Sequence, residues 1–292
     1  MGSPVVVRHF EHSHDARAPG SLLNCLGVEP SVRVIALVGA GGKTSLMYAL
    51  AREIVSLGKT VVTTTTTKIF PPEPHESPCL VLVGSHPGLA SLPRNLLEFQ
   101  HVTVAQAYLP AAGKLQGVGD GVIESCAQHA DMVVVESDGA SRRPIKAPEQ
   151  WEPVIPERTD FVVPVVGLDC IGTPATRENV FRLERFLDLT EVREGEIITA
   201  AAVGRLLSHP QGALKGVPPG VPVRPFLNKR DRLEDAAAID RISSVIAQQG
   251  GGRIDTIVVG SLRGTSPAAP ASRHLHAGVG APEPRGGSDS GS

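Results

Sequence analysis

Residues 33–58 read RVIALVGAGGKTSLMYALAREIVSLG, and the fold follows from this stretch. Val32–Val38 is a short apolar run that ends in glycines, which predicts a buried strand. From Thr44 to Leu57, apolar residues fall at helical spacing (Leu46, Met47, Leu50, Ile54, Leu57) and stop at Gly58, which predicts a helix. Between them lies Gly39-Ala40-Gly41-Gly42-Lys43-Thr44-Ser45. Glycines at 39, 41 and 42 allow backbone N–H groups to turn toward one point without Cβ obstruction. The helix that starts there adds unpaired amides and a positive dipole end. A lysine in this place reaches β- and γ-phosphates, and a threonine hydroxyl ligates Mg²⁺. A nucleoside triphosphate, ATP or GTP with Mg²⁺, is the ligand such a loop suits best.

The common phosphate loop has four residues between its first glycine and the Gly-Lys pair. Here only Ala40 and Gly41 separate Gly39 from Gly42, and Leu37 stands where the first glycine would be. The shorter loop resembles the G-x-x-G-K-T form of Mur-type ligases. Outward from the loop, strand and helix patterns alternate. Predicted strands are Thr60–Thr66, Leu80–Val83, His101–Gln106, Met132–Glu136, Phe161–Val166, Val223–Leu227 and Ile254–Val259. Predicted helices are Leu89–Glu98, Gly121–His129, Glu178–Leu187, Ala200–Ser208 and Asp235–Gln248. Short apolar strands alternating with helices imply an α/β fold, a mainly parallel sheet with helices on both faces, P-loop NTPase-like. Ligands then gather at the carboxyl ends of the strands. The division expected is 1–20 weakly ordered, 21–262 one α/β domain, and 263–292 a disordered Gly/Pro/Ser-rich tail.

Three further segments carry candidate chemistry. Met132–Glu136 is an apolar strand running into ESDGA, and such a strand beside a phosphate loop often carries the carboxylate that holds Mg²⁺ or polarises a water. Glu136 and Asp138 are the candidates, Glu136 with Thr44 as the metal pair; Asp138 reads equally as a solvent-facing strand terminus. The threonine run 63–67 is first of all strand material, and its end places Thr66 and Lys68 as hydroxyl and cation contacts near the γ-phosphate. PFLNKRD sets Asn228, Lys229 and Asp231 directly after a strand. This N-K-x-D pattern is one many GTPases use, because a carboxylate accepts from guanine N1–H and the amino group while adenine cannot supply that pair. A polar turn before the helix near Asp235 is the alternative. The proline-rich block Ser137–Pro156 is placed to close over an anionic ligand, with Arg143 and Lys146 as contacts.

Composition excludes other classes. The chain has 292 residues and a formal net charge of -2, without the basic excess of a nucleic-acid binder. It has no apolar run of membrane-spanning length and no secretory pattern at its start, so a cytoplasmic protein with no membrane or nucleic-acid partner is expected. The four cysteines (Cys25, Cys79, Cys126, Cys170) lie far apart and read as reduced, mostly buried thiols.

VGAGGKTSLMYALA, VVTTTTTKIF, VVVESDGASRRPIKAPEQWEPVIP, VVGLDCIGTP and PFLNKRD, in that order, resemble the YqeC family of selenium cofactor biosynthesis proteins, accessory proteins of selenium-dependent molybdenum hydroxylases. The resemblance covers roughly residues 20–260. It implies a P-loop protein that helps make or install the selenium ligand of a molybdenum enzyme, with the hydroxylase or its cofactor and a selenium donor such as selenophosphate as partners. Catalysis would then fall to Lys43, Glu136 and Asp138, as an NTPase. A non-catalytic, nucleotide-gated chaperone and a Mur-like ATP-dependent ligase are the alternatives.

Overall fold

The computed structural model describes residues 4–10 and 20–262; the tail assigned to 263–292 lies outside these. Nine strands form one sheet: β1 (Val6–His9), β2 (Val34–Gly39), β3 (Val61–Thr65), β4 (Leu80–Leu82), β5 (His101–Ala105), β6 (Met132–Glu136), β7 (Phe161–Gly167), β8 (Phe226–Asn228) and β9 (Thr256–Val259). Their order is β1-β9-β8-β7-β2-β6-β3-β5-β4, and every neighbouring pair is parallel. The helices are α1 (Leu22–Leu26), α2 (Lys43–Ser56), α3 (Leu92–Phe99), α4 (Asp120–His129), α5 (Leu183–Thr190), α6 (Ala200–Ser208) and α7 (Ala237–Gln249).

The central strands β2 and β7 are apolar along their length because both sheet faces are covered there. Along β2, Ile35 and Leu37 pack with Leu46, Leu50 and Ile54 of α2. Ala36 and Val38 face the opposite side, with Leu206 of α6 and Ile242 of α7. Val34, Val133 and Val135 join Leu96 of α3 and Ile123 of α4. Each large aliphatic side chain so buried contributes about 1.5–3 kcal/mol, and this burial fixes the register of the central strands. The connection after β2 leads to β3 on one side; the connection after β7 leads to β8 on the other. The carboxyl ends of β2 and β7 therefore flank a topological switch point, where α/β sheets place their ligands.

Two elements differ from expectation. Val6–Val7-Arg8-His9, within the stretch assigned to weak order, is a strand paired with Thr256–Val259. Its residues are mostly exposed, and backbone pairing to a sheet edge holds it. The helix expected from Glu178 begins at Leu183, because Val180–Phe181 pairs as a short strand with Ile145–Lys146 and Arg182 turns the chain through a left-handed conformation (φ 64°).

The threonines of β3 are buried and bonded. Thr63 Oγ1 lies 2.8 Å from Thr103 Oγ1 and 3.0 Å from His101 Nε2, and Thr64 Oγ1 donates to Val104 O at 2.7 Å. Burial, with Arg52 nearby, lowers the His101 pKa to about 4. Between that value and the unfolded pKa near 6.5, the unfolded chain holds a proton the folded one lacks, so stability falls as pH falls. The His101 contribution is complete above pH 6.5 and lost by pH 4, with a slope of at most about 1.4 kcal/mol per pH unit. Urea unfolding is expected to show a loss of up to ~2 kcal/mol from pH 6.5 to 5 that His101→Gln removes; an unchanged slope in the variant contradicts this.

Candidate functional site

The loop between β2 and α2 is closed by its own protein contacts. Gly39 N–H donates to Asp138 Oδ2 at 3.0 Å, Ala40 N–H to Val165 O at 2.9 Å and Gly41 N–H to Arg143 O at 3.1 Å. These amides, read from the sequence as ligand donors, instead shape the loop. The first bond within α2 runs from Leu46 N–H to Gly42 O, so the amides of Lys43, Thr44 and Ser45 have no partner inside the helix and point out of its start. Glycine is required at 41 and 42. Their φ values are 89° and 132°, and a Cβ at Gly41 would stand 2.1 Å from Gly167 N, one at Gly42 2.3 Å from Asn228 Nδ2.

Glu136 ends β6, next to β2 in the sheet, and Asp138 lies two residues on. Both are buried. Lys43 Nζ donates to Gly39 O at 2.5 Å and lies 3.1 Å from Asp138 Oδ1 and 3.8 Å from Glu136 Oε1. Burial opposes the ammonium charge, but Asp138 and Glu136 outweigh it and raise the Lys43 pKa. Thr44 Oγ1 donates to Glu136 Oε2 at 2.7 Å. Burial raises the Glu136 pKa, against the pull of Lys43 and Thr44. A dehydrated carboxylate paired with a hydroxyl at a helix start is a donor set that a hard divalent cation would relieve.

Lys146 differs from its sequence reading as a substrate-loop contact. Its ammonium is enclosed, 3.1 Å from Asp138 Oδ2 and 2.9 Å from Glu152 Oε2, and it donates to Gly139 O at 2.7 Å. It braces the proline-rich block from behind. Thr66 and Lys68 also stand apart from the cleft wall: Thr66 Oγ1 donates to Val154 O, and Lys68 begins a two-residue strand of a small antiparallel sheet. Thr65 supports the site instead, donating from Oγ1 to Glu136 O at 2.8 Å.

An open cleft of about 330 Å³ lies over the helix start, lined by Gly41, Gly42, Lys43, Ser45, Glu136, Ala140, Arg142, Arg143, Asn228, Lys229 and Leu262. The loop, Glu136, Arg143 and the first two residues of the N-K-x-D segment, Asn228 and Lys229, thus meet in one place, while Asp231 is not in the lining. Asn228 Nδ2 donates to Gly41 O at 2.8 Å, tying the end of β8 to the loop. Sequence reasoning missed three participants. Arg142, beside the predicted Arg143, lines the cleft and stacks on Phe70. Asp169 pairs with Lys229 at 2.6 Å. Leu262, after β9, closes the far wall. No local pattern marks any of them.

The family model described as YqeC protein matches residues 35–184, which run from β2 through the loop and the acidic strand end into α5. A protein of Escherichia coli (strain K12), described as uncharacterized protein YqeC, is 33% identical over 232 residues, 79% of this chain and 89% of that relative. The chain belongs to the YqeC family. In this YqeC-family chain the matched segment holds Lys43, Thr44, Glu136 and Asp138, while Asn228–Asp231 lies beyond it. Among the described residues no helix is long and apolar enough to cross a membrane.

Proposed function

We propose that this protein binds a nucleoside triphosphate with Mg²⁺ on the loop Gly39–Ser45 and hydrolyses it in support of selenium cofactor biosynthesis or insertion for a molybdenum hydroxylase. The observation that carries the nucleotide reading is the meeting, at one switch point, of the α2 amides, Lys43 and the Thr44–Glu136 pair. We take the parallel sheet with this short loop as a P-loop NTPase-like fold of the Mur-type variant. Thr44 and Glu136 would hold Mg²⁺, which when bound neutralises phosphate charge. Lys43 and the amides of Thr44 and Ser45 bind and orient the polyphosphate, and Arg142 and Arg143, which line the same cleft, offset its charge. Titration calorimetry with a purine triphosphate is expected to give binding in Mg²⁺ and at least tenfold weaker binding in EDTA. No heat with either triphosphate rejects the reading.

The selenium role rests on the family resemblance. Metal analysis of the partner hydroxylase from cells lacking this protein is expected to show selenium lost and molybdenum retained; full selenium content would overturn it. A nucleotide-gated chaperone without turnover is the second reading, favoured by Asp138. Its carboxylate is engaged by Lys43, Lys146 and Gly39 N–H, which suits a brace better than a catalytic base. A phosphate-release assay with the hydroxylase present separates the two: turnover above background supports the NTPase, tight binding without it the chaperone.

A further inference from the structure

We propose that the cleft selects a guanine nucleotide, whose base is read by the Asp231 carboxylate, positioned by Ser261 from the neighbouring strand end. This rests on the nucleotide reading above and deepens it.

Two loops leave the carboxyl ends of β8 and β9, and they are stitched together. Arg230 N–H donates to Gly260 O at 3.1 Å and Gly260 N–H to Leu227 O at 3.0 Å. Asp231 N–H donates to Ser261 Oγ at 3.0 Å, and the Ser261 hydroxyl donates back to Asp231 Oδ1 at 2.5 Å. Asn228 anchors the assembly: its Oδ1 accepts from Lys229 N–H at 2.8 Å and Leu262 N–H at 3.2 Å, while its Nδ2 reaches Gly41 O of the phosphate loop. The base end and the phosphate end of the cleft are therefore held in fixed relation, as one ligand spanning both requires.

The side chains fit a purine. Lys229 has its ammonium drawn to Asp169, so what it adds to the cleft wall is its methylene stem, in the same lining as Leu262. Asp231 lies two residues past Lys229, outside the cleft lining, with its side chain 46% exposed and its Oδ2 3.4 Å from Arg232 Nε, an exposed pair that a base would have to displace. A carboxylate only accepts hydrogen bonds. Guanine offers adjacent N1–H and amino donors; adenine offers an N1 acceptor at the same edge. A carboxylate fixed by Ser261 thus favours guanine and repels adenine, by roughly 10- to 100-fold for a bidentate contact.

The test uses the full chain, Mg²⁺ and three triphosphates: GTP, ATP and XTP. Wild type is expected to bind GTP about 10- to 100-fold more tightly than ATP. Asp231→Asn keeps an acceptor for the Ser261 hydroxyl but turns the other atom into a donor. Xanthine carries an oxo group where guanine carries the amine, so this variant is expected to reverse the preference and bind XTP over GTP at least tenfold. Ser261→Ala is expected to weaken GTP severalfold and leave ATP unchanged. Equal GTP and ATP affinity in wild type, or a GTP-to-XTP ratio unmoved by Asp231→Asn, overturns the guanine assignment and leaves the nucleotide reading standing. Absence of binding by all three overturns both.

Discussion

Lys43→Met is expected to lower the affinity for a Mg²⁺–purine triphosphate by at least about 100-fold, which corresponds to roughly 2.7 kcal/mol. The side chain lines the cleft and, among the described residues, its ammonium meets Gly39 O and the two acids. Methionine keeps the length and removes the charge. A polyphosphate would then meet the acids without the lysine ammonium, losing a charge-assisted contact and facing the Asp138 carboxylate with less compensation. The variant also leaves two buried acids short of a partner, so it is expected to melt earlier than wild type. Binding is therefore measured well below its transition, by calorimetry. An affinity within threefold of wild type would contradict the placement of phosphate beside Lys43.

Lys146→Met supplies the contrast. Lys146 shares Asp138 with Lys43 and adds Glu152, but its side chain is fully enclosed and absent from the cleft wall. Removing one partner of a buried ion pair costs about 3–5 kcal/mol, because the remaining charge is left without compensation. For a chain of this size that corresponds to a melting temperature lower by roughly 6–20 °C. Nucleotide affinity of the folded variant is expected to stay within a few-fold of wild type. A stable variant with lost affinity would return Lys146 to the ligand surface. The two lysines are alike in burial and share Asp138, but only Lys43 lines the cleft. Together they separate a binding residue from a brace.

The central strand, loop and helix were legible because periodicity, glycines and the Gly-Lys-Thr ending all agree locally. So was the parallel sheet, since both-face burial makes β2 and β7 uniformly apolar and β6 apolar up to Glu136. The strand Val6–His9 was not, because it is held by backbone pairing at an edge and buries little. Lys146 could not be placed from sequence. Asp138 and Glu152 converge on it only after the proline-rich block folds back on the sheet. Thr66 and Lys68 were drawn toward the γ-phosphate by extending β3, but the strand ends at Thr65 and the chain turns away to Val154 and a separate small sheet. Ser261 and Asp169 had no signal at all: each acts on a partner about 30 or more residues away, Ser261 on Asp231 and Asp169 on Lys229.

The most direct test of phosphate binding at the start of α2 is backbone amide NMR during titration with a slowly hydrolysed Mg²⁺–GTP analogue. Saturable shifts concentrated at Lys43, Thr44 and Ser45, with the amides of Gly39 and Ala40 moving less because protein acceptors already hold them, are the predicted result. Shifts elsewhere with those three amides unmoved, or none at millimolar ligand, would contradict it.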